Sequence, residues 1–192
     1  MKRILTVLVL TVLTVAGVNA QEYKPFKLGV GLGYAMPGGE GAGGGVLFAI
    51  EPAYRVNDAI AVGLRLEWAA VVRGLSESVA DYNASAAAIG SYTINGNYYL
   101  SNGSFRPFIG AGVGLVKLAA VGVSGSSTGG SAGAAAETKI GFYPRIGFEA
   151  GHFNLTLDYN IIGKTTFEGS DLEVKNGYIG IRIGGFFFGG RN

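Results

Sequence analysis

The sequence predicts an all-β fold: a closed, eight-stranded antiparallel up-and-down β-barrel that crosses a membrane, preceded by a cleavable signal peptide. Three observations carry this. Bulky apolar residues alternate with small or polar ones at period two through almost all of residues 26–188, and no window holds an apolar stripe of helical period. Glycine supplies 34 of the 192 residues, far above a background of about 7 per cent, while Asp, Glu, Lys and Arg together make only 15%. Beyond residue 20 no apolar run approaches the ~20 residues that a membrane helix needs, so strands must carry the hydrophobic surplus.

The chain starts with Lys2 and Arg3, an apolar stretch from Ile4 to Val18, and the small-residue sequence Val18-Asn19-Ala20 before Gln21. That order is the pattern of a secretory signal peptide, which assigns residues 1–20 to the leader and 21–192 to one exported β-barrel domain. The apolar stretch, interrupted by three threonines, is short for a membrane anchor. Without Lys2 and Arg3 the mature chain has 13 basic and 13 acidic residues, so it lacks the positive surplus that nucleic-acid binding requires. With no cysteine and one histidine, disulfide frameworks, thiol catalysis, lipoprotein anchoring and Cys/His metal sites are excluded.

The first strand, Phe26 to Met36, sets Phe26, Leu28, Val30, Leu32, Tyr34 and Met36 against Lys27, Gly29, Gly31, Gly33 and Ala35. The second, Gly45 to Val56, sets Val46, Phe48, Ile50, Tyr54 and Val56 against Leu47, Ala49, Glu51, Ala53 and Arg55. In the third, Ala59 to Val72, Ile60, Val62, Leu64, Leu66 and Trp68 oppose Ala61, Gly63, Arg65, Glu67 and Ala69. The fourth, Ala87 to Leu100, carries Tyr92, Ile94 and Tyr98 against Ser91, Thr93, Asn95 and Asn97. The fifth, Phe105 to Leu118, alternates Ile109, Ala111, Val113 and Leu115 with glycines until Lys117 breaks the rule. The sixth, Thr138 to Ala150, opposes Ile140, Phe142, Ile146 and Phe148 to Lys139, Tyr143, Arg145 and Glu149. The seventh, Phe153 to Ile162, opposes Leu155, Leu157, Tyr159 and Ile161 to Asn154, Thr156, Asp158 and Asn160, and the eighth, Asn176 to Phe188, opposes Ile179, Ile181 and Ile183 to Gly180, Arg182 and Gly184.

The links alternate in length: 37–44, 73–86, 119–137 and 163–175 are long, and 57–58, 101–104 and 151–152 are short. Tight turns at one rim and loops at the other are expected of an outer-membrane barrel. Period two alone does not say which face is inside. A soluble lipocalin-like barrel would show water a face rich in Lys, Glu and Thr, whereas here the non-bulky face is largely Gly and Ala with isolated charges. Eight strands enclose a lumen only just wide enough for side chains, which suits that small-and-charged face and leaves the bulky face to lipid. Tyr34, Tyr54, Trp68, Tyr92 and Phe105 lie towards strand ends, where an aromatic girdle would sit.

The glycine-alternating strands FKLGVGLGY (26–34) and RPFIGAGVGL (106–115), the turn and strand RVNDAIAVGLRLE (55–67) and the closing strand YIGIRIGGFFF (178–188) resemble the small outer-membrane β-barrels of the OmpA/OmpX-like type found in diderm bacteria. The resemblance spans Lys24 to Gly190. It implies residence in the outer membrane, contact with outer-membrane lipid, and insertion by the barrel-assembly machinery. Family barrels usually end on the aromatic residue which that machinery reads; here Phe188 is followed by Gly189-Gly190-Arg191-Asn192. No peptidoglycan-binding segment is read after the last strand, so the tethering role of longer relatives is not expected.

The inward charges are Lys27, Glu51, Arg55, Arg65, Glu67, Arg73, Lys139, Arg145, Glu149, Asp158 and Arg182, and of these Glu51, Arg65, Glu67, Arg145, Glu149, Asp158 and Arg182 are taken as a lumen charge network. A two-residue turn at Gly151-His152 sets Arg145 across from Asp158, a turn centred on Asp58 sets Glu51 across from Arg65, and Arg182 would complete an Arg-Asp-Arg cluster. The network either gates ion flow or merely fills the barrel and fixes its register. No catalytic, cofactor-binding or metal-ligating set is read. Gly39 to Gly44 satisfies GxGxxG but precedes a strand, not a helix. His152 sits in a tight turn with no serine or carboxylate assignable to it.

The expected function is that of a non-enzymatic, monomeric envelope protein that contributes to structure or binds a surface ligand through loops 73–86, 119–137 and 163–175. Alternatives are a narrow porin-like channel for small solutes, a lipid-modifying barrel enzyme and a soluble lipocalin-like binding barrel.

Overall fold

The structure, a computed structural model, describes residues 22–38, 43–73, 85–121, 137–163, 165–166, 173–174 and 176–191. The leader assigned to residues 1–20, the GxGxxG glycines 39–42 and most of the three candidate binding loops lie outside the described residues. The strands are β1 (Phe26–Pro37), β2 (Gly45–Arg55), β3 (Ile60–Arg73), β4 (Ser85–Tyr99), β5 (Phe105–Val121), β6 (Glu137–Ala150), β7 (Phe153–Ile162), the short pair β8 (Thr165–Thr166) and β9 (Glu173–Val174), and β10 (Tyr178–Phe188). Among the described residues there is no helix.

Eight of these strands close a barrel in the order β1-β10-β7-β6-β5-β4-β3-β2, every pair antiparallel and sequential except the seam of β1 with β10. Each of the eight predicted strands is present. The walls are uneven, because β3 to β6 run for 14–17 residues while β1, β2, β7 and β10 run for 10–12. The β8–β9 pair, a small antiparallel extension within the 163–175 loop, was not expected, since strands of two residues leave no periodicity to read.

Register follows from the tight turns. Ala150 pairs with Phe153 around Gly151-His152, with Gly151 at φ 61°, and this places Arg145 opposite Asp158. Between β2 and β3 the register is the expected one on both sides of the Glu51-Pro52 step, Ile50 with Leu66 and Ala53 with Gly63, but the ladder opens at that step because Pro52 has no N–H. Pro144 interrupts the β6–β7 ladder in the same way, between Phe142↔Ile161 and Arg145↔Asp158.

The bulky face is outside. Leu32 is 67% exposed, Ile94 59% and Ile183 57%, whereas Arg55 and Arg65 are fully buried. A belt of this size exposed to water would be an aggregation surface, so its partner is hydrocarbon. That geometry excludes the soluble lipocalin-like alternative, whose apolar face would be interior.

Lys117 stands outward on the belt, with its ammonium 5.7 Å from the Tyr92 ring centroid. Twelve residues of tilted strand separate it from Phe105 at the opposite rim, roughly 30 Å against an apolar band about 25 Å tall. Lys117 therefore lies at headgroup depth. Lys117→Leu is expected to change unfolding free energy by less than about 1 kcal/mol, and Ala111→Lys, halfway down the same strand, to destabilise by about 2–4 kcal/mol. Urea titration in lipid vesicles checks both; equal effects would place the membrane elsewhere.

Candidate functional site

The interior is filled in layers. At the long-loop end Leu47, Val71, Ile89, Val116, Leu118 and Ile162 meet in an apolar cluster with Ala35, Ala69 and Tyr178. This corrects the expectation that only small and ionised residues line the axis. The physical reason is that parity fixes which side of the wall a residue occupies but not its chemistry, and a narrow rim shielded from water is filled well by aliphatic side chains.

Below it lies a balanced charge cluster. Arg182 pairs with Glu67 and, at 2.6 Å, with Asp158. Arg65 lies 3.3 Å from Asp158 and 3.6 Å from Glu67, and its guanidinium stacks on Tyr143 at 3.5 Å from the ring centroid. The Tyr178 hydroxyl donates to Glu67, and the Asn160 amide donates to Asp158 while its carbonyl accepts from Arg65 at 2.8 Å. Arg145 pairs with Glu51 at 2.6 Å, and Asn95 donates to the same carboxylate. A cavity of about 20 Å³ beside Glu51, Arg145 and Arg182 is close to the size one water needs.

These partners differ from the ones that register arithmetic suggests. Arg145 faces Asp158 along the wall, yet its ion pair reaches across the lumen to Glu51, and Arg65 binds Glu67 and Asp158 instead of Glu51. Long guanidinium arms in a narrow barrel span the axis, so height and hydrogen-bond geometry select the partner, and strand adjacency does not. The Arg182–Asp158 contact is as expected. Lys139 pairs with Glu137 near the long-loop end at 3.0 Å, and the Arg73 side chain lies outside what the structure describes.

The third layer closes the short-turn end. Glu149 accepts from Lys27, from Arg55 at 3.0 Å and from the Tyr99 hydroxyl at 2.7 Å. Arg106, 2% exposed, stacks between Tyr23 and Tyr99 at 3.8 and 4.2 Å and donates to the carbonyls of Asp58 and Ser101. Tyr23 staples the rim: its hydroxyl donates to the carbonyls of Asn102 and Gly103, its backbone N–H donates to the Asp58 carboxylate at 3.2 Å, and it bridges to Arg191. The last strand can reach it because Phe188 and Gly189 adopt φ 60° and 63°, bending the tail inward over Lys27.

Sequence reasoning missed Arg106 and Tyr23. Arg106 was legible, since Phe105 and Ile109 point outward and parity puts 106 inside. Tyr23 precedes the first strand and left no pattern. Of the network residues, Glu51, Arg65, Glu67, Arg145, Asp158 and Arg182 lie together in the middle layer, and Glu149 belongs to the short-turn layer. Tyr34, Tyr54, Trp68, Tyr92 and Phe105 all point outward, 43–56% exposed, and Trp68 stacks on Phe48 at 6.0 Å. Phe26, Tyr98, Phe153, Phe187 and Phe188 join Tyr54 and Phe105 on the outward side of the short-turn rim.

His152 packs on Phe186 at 5.2 Å, and Ser104 and Glu149 line the same cavity, which the sequence did not show. Among the described residues no hydrogen bond joins the three, and Glu149 is engaged by Lys27, Arg55 and Tyr99. Among the described residues no group of His, Asp and Glu could hold a metal ion.

The fold has solved counterparts. Neisserial surface protein A is 18% identical, with a TM-score of 0.57 over 85% of this chain and 96% of that one. Ail, the attachment invasion locus protein of Yersinia pestis, is 18% identical with a TM-score of 0.45 over 85% and 100%. The N-terminal β-barrel domain of Pseudomonas aeruginosa OprF is 13% identical with a TM-score of 0.45 over 86% and 99%. No curated protein matches the sequence. The family model for the outer membrane protein beta-barrel domain matches residues 5–187. With a lipid-facing belt, a closed eight-stranded wall and that match over nearly its whole length, the chain belongs to the outer membrane protein β-barrel family and resides in the cell outer membrane.

Proposed function

We propose that the protein is a non-enzymatic, sealed barrel that contributes to envelope structure or surface interaction through loops 73–86, 119–137 and 163–175. The filling of the lumen among the described residues carries this reading: an apolar layer, a neutral charge cluster and the Tyr23 closure follow one another along the axis, and the cavity within the middle layer is about 20 Å³. In this reading the ionised side chains brace the wall, because each of Glu51, Glu67, Asp158 and Glu149 is held by cations from other strands, and the outward aromatics anchor the barrel at the two interfaces. A conducting path would have to break the middle layer or wet the apolar one.

Planar-bilayer recording tests it. The refolded mature chain is expected to show no discrete conductance steps above the lipid background; reproducible steps from the wild-type protein would reverse the reading in favour of a narrow channel.

A further inference from the structure

The two charged layers differ in a way that the sealed-barrel reading does not use. In the middle layer Arg65, Arg145 and Arg182 meet Glu51, Glu67 and Asp158, one carboxylate for each cation. In the layer at the short-turn end, which in an outer-membrane barrel is the periplasmic end, among the described residues, Lys27, Arg55 and Arg106 are 0–4% exposed and the one buried carboxylate is Glu149. Both oxygens of Glu149 are taken, Oε1 by Lys27 and Tyr99 and Oε2 by Arg55. Asp58 at the rim offers Arg106 only its carbonyl, since its carboxylate accepts the N–H groups of Glu22 and Tyr23. Among the described residues Arg106 has no carboxylate partner, and its Nη1 is buried with no hydrogen bond. Two carbonyls and two tyrosine rings hold the guanidinium but do not cancel its charge, so this layer carries three cations against one carboxylate, and a counter-anion would balance it.

There is room for one. A cavity of about 300 Å³ opens beside Arg106, lined also by Tyr23, Ser104, His152, Arg191 and Glu149, whose carboxylate is already held by Lys27 and Arg55, and it is far larger than the ~10–15 Å³ one water needs. A planar guanidinium matches the paired oxygens of an oxyanion better than a spherical ion; the Ser104 hydroxyl adds a neutral donor, and rim Arg191, which pairs with Glu22 through Nη2, adds its other N–H groups.

We propose that the periplasmic mouth is an oxyanion-binding site, in which Arg106, with Ser104 and Arg191, receives a phosphate group entering from the periplasmic side, either free or on a lipid headgroup. The middle layer, already neutral, takes no such ligand.

The test uses the mature full-length chain in maltoside micelles, following the unfolding midpoint as inorganic phosphate replaces chloride at constant ionic strength, and in a second arm as dihexanoyl phosphatidylglycerol is added. A ligand that binds only the folded state raises the midpoint. Wild-type protein and Lys117→Gln, on the lipid face, are expected to be stabilised equally; a response to inorganic phosphate assigns the free anion, and a response to the lipid alone assigns the headgroup. Arg106→Met is expected to bind about tenfold more weakly, the loss of one charge-assisted hydrogen bond. If Arg106→Met does not refold, Arg191→Gln, exposed at the rim, is expected to weaken binding in the same assay. No response of the wild type in either arm, or an undiminished response in Arg106→Met or in the Arg191→Gln that replaces it, overturns the site.

Discussion

Asp158→Ala is expected to lower the unfolding free energy of the barrel by about 3–5 kcal/mol, the range for stranding a buried charge. Asp158 holds Arg182 at 2.6 Å and Arg65 at 3.3 Å, and all three side chains are almost fully buried. Without the carboxylate, two guanidinium groups face Glu67 alone. Adding Arg182→Met restores neutrality, leaving Arg65 with Glu67, Asn160 and the Tyr143 ring, and is expected to recover most of the loss. Adding Arg145→Leu is expected to recover nothing and to deepen it, because Arg145 neutralises Glu51 across the lumen. Urea unfolding in vesicles, read as a double-mutant cycle, separates the partners. If Arg145→Leu rescues and Arg182→Met does not, the wall neighbour is the true partner and the cross-lumen pairing is wrong.

Gly33→Val is expected to prevent stable closure of the barrel. Gly33 faces Arg182 on the β1–β10 seam, and a Cβ there would overlap the Ile181 carbonyl and come within 2.9 Å of the Arg182 Cα. Backbone of the partner strand has nowhere to retreat, since Ile181 is itself paired to Leu157 on β7. The cost is about 3 kcal/mol or more, at the upper end for overpacking, and it falls on the single pairing that joins the ends of the sheet. The variant is expected to lose the compact, fast-migrating band that a folded barrel gives on an unheated detergent gel. Gly96→Val, where an added Cβ meets no atom within 4 Å, is expected to keep it. Normal migration of Gly33→Val would show that the seam opens enough to admit a side chain.

Parity explains why so much of the architecture was legible. A strand that separates lipid from a narrow lumen must place bulky groups on one face and small or charged ones on the other, so FKLGVGLGY and YIGIRIGGFFF carry wall and orientation together. Turn length then fixed the register, and Arg145 stands opposite Asp158 as the Gly151-His152 turn requires. The same rule reaches Arg106, one residue past the outward Phe105.

What parity does not encode is contact across the axis. Whether Arg145 meets Asp158 or Glu51, and whether Val71, Ile89 and Ile162 seal one end, depends on which side chains share a height after eight tilted strands close, and that is set by barrel stagger. Tyr23 lies before any strand and is placed only by the turns and tail it joins. The sequence alone thus determined the number of barrel strands, their inward and outward faces and the membrane they occupy, because each follows from period-two chemistry along one chain. Only the tertiary structure decided the ion-pair partners, the sealing layers and the unbalanced charge at the periplasmic mouth, because these arise between residues that are distant in sequence and meet only when the wall is closed.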